Sequence, residues 1–71
     1  MHQLLLKFGK RVRSLRLDRG WTQEELAHRS GLNRSYMSEV ERGISDVSLS
    51  TLQKIAKTLG ISLAELLTGI N

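Results

Sequence analysis

Apolar residues recur along this chain at three- and four-residue intervals, and glycine punctuates them. Leu5, Phe8, Val12 and Leu15 form the first stripe, and their spacing predicts a helix over about residues 3–19. Leu26 and Ala27, then Leu32, then Met37 and Val40 predict two short helices that share one buried seam across a turn. Leu49, Leu52, Ile55, Ala56 and Leu59 form a fourth stripe, and Leu63, Leu66 and Leu67, with Ile70 just beyond, a fifth. Gly20, Gly31, Gly43, Gly60 and Gly69 each follow one of these patterns as a stop. With no proline and helical spacing throughout, the pattern predicts a single all-α domain over residues 1–71, built of five helices.

Polar residues at the ends of the stripes sharpen the boundaries. Thr22 and Glu25 have the spacing of a capping box, so a helix should start there. About two turns later the chain must take a left-handed conformation, which Gly31 adopts without a Cβ penalty. Asn33 can cap the next helix, which runs to Arg42 and stops at Gly43. Residues 22–42 therefore read as a helix-turn-helix, and Ala27 is small because two helices crossing steeply after a four-residue connection leave little room. Ser48 caps the fourth helix, and Ser62 with Glu65 repeats the capping box for the fifth. Gly9 lies inside the first pattern, where it costs about 1 kcal/mol against alanine and marks a frayed start or a close helix contact. Trp21 reads as a hydrophobic plug between the first two helices.

Outside the seam, the third helix carries Arg34, Ser35, Ser38, Glu39 and Arg42, groups of the kind that read base edges and phosphates. Arg34 is the first candidate for base readout, since guanidinium donors match guanine O6 and N7 as a bidentate pair; a phosphate clamp is its alternative. Ser35 and Ser38 can bond several base edges, and Glu39 can accept from cytosine N4. Candidate phosphate contacts are Gln23, in the first turn of the second helix where free N–H groups favour an anion, with Asn33, Tyr36 and Arg42. Tyr36 and Arg42 also have structural readings, in packing and in complementing the helix dipole.

Gln23, Ala27, Gly31, Met37, Val40 and the Glu41-Arg42-Gly43 ending resemble the helix-turn-helix of phage lambda-type repressors and Cro proteins. The resemblance runs from about Phe8 to Leu67, and the stretch from Gly31 to Ser38 looks most like the controller proteins of restriction–modification systems. It implies a five-helix, lambda-repressor-like DNA-binding domain that regulates transcription. It also implies a phosphate role for Gln23 and a partly buried structural ion pair between Arg16 and Glu41. The rival readings are a phage-type repressor, an antitoxin that also grips a protein toxin, and a protein-interaction module without DNA. Against the antitoxin, no disordered tail for wrapping a toxin is expected.

Composition narrows the classes. A chain of 71 residues makes one small domain and buries only roughly 60–65% of its unfolded surface. It has no cysteine, which suits a cytoplasmic protein, and no run approaching the roughly 20 apolar residues of a membrane span. Residues 1–20 hold Lys7, Lys10, Arg11, Arg13, Arg16 and Arg19 against Asp18, a local charge of +5 that suits a polyanionic partner. Enzyme chemistry lacks its parts. His2 and His28 have no partners at ligand spacing, the serines have no base, and no glycine-rich loop cradles a nucleotide. No metal, cofactor or small-molecule ligand is expected.

A module of this size reads few base pairs, and regulators of the lambda type place two recognition helices roughly 34 Å apart on palindromic DNA. The chain is therefore expected to act as a homodimer. Leu63, Leu66, Leu67 and Ile70 are the candidate interface, because one face of the last helix suffices to dock it and apolar surface is left over.

Overall fold

The computed structural model describes residues 2–70 and contains five helices: α1 His2–Asp18, α2 Gln23–Ser30, α3 Arg34–Arg42, α4 Leu49–Leu59 and α5 Leu63–Leu66. Among the described residues there are no strands. The expected caps set the boundaries. Thr22 and Ser62 each accept from the backbone N–H three residues on, while Glu25 and Glu65 accept from the N–H of the capping residue. Asn33 Oδ1 accepts from the N–H groups of Ser35 and Tyr36, and Ser48 Oγ from that of Thr51. The connection between α2 and α3 is three residues, one fewer than expected. Gly31 takes φ of 71° there and donates to the Ala27 and His28 carbonyls.

Both α1 and α2 pack on α3, α2 also meets α4, and α4 carries α5. The core between them is built on Val12, Leu26, Met37, Val40, Ile55 and Leu66, all fully buried. Leu15, Trp21 and Ile61 pack against its edge, and the Arg29 guanidinium lies 4.5 Å from the centre of the Trp21 ring. Of the two readings of Gly9, the close contact holds. A Cβ there would collide with the Glu41 carbonyl and come within 2.6 Å of the Val40 carbonyl. This contact draws the end of α3 against α1.

Three expectations need correction. Leu66 is buried in the core and offers no surface to a partner, and Ile70 is buried except for the edge that lines a cleft with Leu4 and Leu67, because the single turn of α5 and the glycine turn after it fold them inward; Leu63 and Leu67 remain exposed. Leu49, at the first position of α4, stands 78% exposed and does not continue that helix's buried stripe. The basic surplus of residues 1–20 is also less available than its count suggests. Arg11 donates to the Glu65 and Leu66 carbonyls at the end of α5, and Arg19 to the Leu59 carbonyl at the end of α4. Lys7, Lys10 and Arg13 stay exposed.

Candidate nucleic-acid interface

The helix-turn-helix turns one face of α3 inward and the other to solvent. Met37, Val40 and Glu41 are buried, Arg34, Ser35 and Arg42 are exposed, and Ser38 and Glu39 are intermediate. Ala27, 2% exposed, lies in the seam that its size anticipates. Gln23, in the first turn of α2, comes alongside the outer face of α3. Together Gln23, Arg34, Ser35, Ser38, Glu39 and Arg42 line one open groove of about 420 Å³. All four residues expected to read bases thus share a single surface with two of those expected to hold phosphate.

Beneath the groove lies a polar network. Arg16 Nε donates to Glu41 Oε2 at 2.6 Å and Nη2 to Oε1 at 2.9 Å, with side-chain exposures of 9% for Arg16 and 2% for Glu41. Arg16 Nη1 donates to the Trp21 carbonyl at 2.7 Å, which ties the turn after α1 to the same pair. The hydrogen bond with Glu41 raises the Arg16 pKa, opposed by burial and assisted by the charge of Glu41. Gln23 Nε2 also donates to Glu41 Oε1, at 3.0 Å. A carboxylate can only accept, so the Gln23 amide is held nitrogen-inward, with its second N–H left for another acceptor.

Two expected phosphate donors are partly committed. The Tyr36 hydroxyl donates to the Asp46 carbonyl at 3.1 Å, in the loop after α3, so a phosphate would have to compete for that proton. Asn33 spends its carbonyl on capping, which leaves its amide nitrogen free to donate. A contact that the sequence reading missed is Ser45 Oγ donating to Glu39 Oε1 at 2.5 Å. The cue was the stop at Gly43, which turns the loop back along α3. Among the described residues no three His, Cys, Asp or Glu side chains group to hold a metal ion, and no helix is long and apolar enough to cross a membrane.

Residues 12–66 match the helix-turn-helix family. The fold superimposes on the restriction-modification controller protein C.AhdI from Aeromonas hydrophila with a TM-score of 0.85 and 52% identity, covering 87% of this chain and 94% of that one. The control protein C.BamHI of Bacillus amyloliquefaciens is 42% identical over 67 residues, 93% of this chain and 83% of its own. The control protein C.MunI of a Mycoplasma species is 38% identical over 71 residues, 99% of this chain and 96% of its own. Two longer regulators are spanned over only 53% and 50% of their length. The chain belongs to the lambda-repressor-like helix-turn-helix family, and it is a DNA-binding transcriptional regulator, not an enzyme, that resembles the restriction–modification controller proteins.

Proposed function

We propose that this chain controls the genes of a restriction–modification system, in the cytoplasm, as a homodimer on a palindromic operator. The observation that carries the reading is the groove: base-reading and phosphate-binding groups from α2 and α3 share one open polar surface, and behind it Glu41 of α3 accepts from both Gln23 of α2 and Arg16 of α1. Arg34, exposed at the first turn of α3, reads guanine; Ser35, Ser38 and Glu39 read neighbouring bases. Gln23, Asn33 and Arg42 set the register on phosphates, and Tyr36 joins them where a phosphate displaces the Asp46 carbonyl.

The dimer rests on exposed apolar residues. Leu63 and Leu67, at 39% and 41% exposure, stand with Leu4 and Leu49 as large apolar side chains facing solvent. Leu67 and Leu4 also border an apolar cleft of about 310 Å³ between α1 and the C-terminal turn. A two-fold axis through this region would join two recognition helices for a palindrome.

A binding selection on randomised duplexes tests the reading. Arg34→Ala should relax the preference at one position of each half-site, at a cost of about 1–3 kcal/mol on the preferred sequence. Gln23→Ala should weaken all sequences about equally. A preferred motif unchanged by Arg34→Ala would refute the readout, and affinity insensitive to salt would refute phosphate binding altogether.

A further inference from the structure

Six side chains line the groove, and among the described residues only two of them have a side-chain hydrogen bond to a fixed point in the fold: Gln23, held by Glu41, and Glu39, held by Ser45. The second bond joins a base-reading candidate to a residue outside both helices of the motif. Ser45 is itself placed firmly. Two residues before it, Gly43 sits at φ of 72°, so close to α1 that a Cβ would come within 2.7 Å of Leu6 Cα. The next residue, Ile44, donates its N–H to the Glu39 carbonyl at 3.1 Å. On the other side, the Asp46 carbonyl accepts from Tyr36. The loop is thus tied to α1 and α3 on both flanks of the hydroxyl.

We propose that Ser45 is a positioning residue for specificity: its hydroxyl holds the Glu39 carboxylate so that the remaining oxygen accepts from the amino group of a base, cytosine N4 or adenine N6. The inference rests on the reading that Glu39 contacts a base. A lone carboxylate in this groove has a competing partner. Arg42 is three residues on along the same helix, a spacing at which opposite charges meet. A carboxylate released from Ser45 can turn to that guanidinium, which withdraws the base acceptor and occupies a phosphate donor at once. Charge-assisted hydrogen bonds are the strong ones, and a hydroxyl fixed by its loop holds the carboxylate with little further ordering. Ser45 thereby determines how sharply Glu39 discriminates, without itself supplying the base contact.

The test compares Ser45→Ala, Ser45→Thr, Glu39→Ala and the double variant Glu39→Ala/Ser45→Ala in one binding selection, with melting curves for each. Ser45→Ala should reduce discrimination by about tenfold, at the same operator position that Glu39→Ala affects. It should leave the preference for guanine opposite Arg34 and the melting temperature unchanged. Threonine keeps the hydroxyl and should restore the preference. In the absence of the Glu39 carboxylate, loss of Ser45 should have no further effect. Unchanged discrimination in Ser45→Ala, an effect at a different position, or additive losses in the double variant would each overturn the proposal while leaving the Glu39 readout standing. If Glu39→Ala itself leaves the preference intact, the readout by Glu39 fails and the role of Ser45 falls with it.

Discussion

Glu41→Ala should destabilise the fold by about 3 kcal/mol, the lower end of what removing one partner of a buried ion pair costs. The structure supplies both the reason and the limit. Arg16 would lose two short hydrogen bonds and its counter-charge, yet keep its bond to the Trp21 carbonyl, and Gln23 would lose its anchor. A native domain holds about 0.05–0.15 kcal/mol per residue, so a chain of 71 residues has roughly 4–11 kcal/mol in total. At 4–8 °C per kcal/mol for a domain of this size, the melting temperature should fall by roughly 12–24 °C. Circular dichroism melts on the purified protein measure it. Replacing both partners with apolar residues should recover part of the loss, since no charge is stranded, but the Trp21 carbonyl would lack its donor. The Arg16 pKa is raised, so its contribution is fully present below the unfolded-state value and lost only above the folded one. Both lie beyond the ordinary working range for a guanidinium, so the part of the deficit owed to Arg16 should not change from neutral to mildly alkaline pH. A melting temperature within two or so degrees of wild type would refute the reasoning, because a buried guanidinium stripped of its counter-charge cannot cost less than about 0.5 kcal/mol.

Two further substitutions test the packing. Gly9→Ala should destabilise by about 1–3 kcal/mol although alanine is the better helix former, because the added methyl meets backbone carbonyls of α3 that cannot turn aside; a urea midpoint equal to or above wild type would contradict this. Leu67→Glu should shift the sedimenting species from dimer to monomer without lowering the melting temperature of the monomer, since Leu67 is exposed there. A wild type that stays monomeric at high micromolar concentration, or a dimer indifferent to the charge, would remove this surface from the interface.

The helices were legible because their ends are written in short-range chemistry. A capping box at Thr22, its repeat at Ser62, and the glycine caps of α2, α3 and α4 are interactions within three or four residues, so spacing alone determines them; α5 instead ends at Leu67, ahead of the expected stop at Gly69. The outward residues of α3 were legible for the same reason: helical periodicity puts Arg34, Ser35, Ser38 and Arg42 on one side once Met37 and Val40 face in. What was not legible depends on where separate helices end in space. Leu63, Leu66, Leu67 and Ile70 look alike as a stripe, but the direction in which the last turn closes decides that two are core and two are surface.

The same limit explains the arginines. A run of basic residues ahead of a helix-turn-helix suggests phosphate, because in sequence the only visible property is charge. In the fold, Arg11, Arg16 and Arg19 meet carbonyls at the ends of α5, of the turn before α2, and of α4, partners 54, 5 and 40 residues away. Helix ends leave carbonyls without intrahelical partners, and those of α5 and α4 lie within reach of Arg11 and Arg19. Arginine serves them better than lysine, since its fork reaches a carbonyl while its stem packs. Three of the six basic residues in the first 20 thus serve the fold's own carbonyls. Of the basic residues ahead of α2, Lys7, Lys10 and Arg13 stay exposed, and Arg34 and Arg42 line the groove, so their charge is not spent on the fold's carbonyls. A count of positive residues overstates phosphate affinity in any small helical bundle where arginine also caps, and the fold, not the charge, separates the two uses.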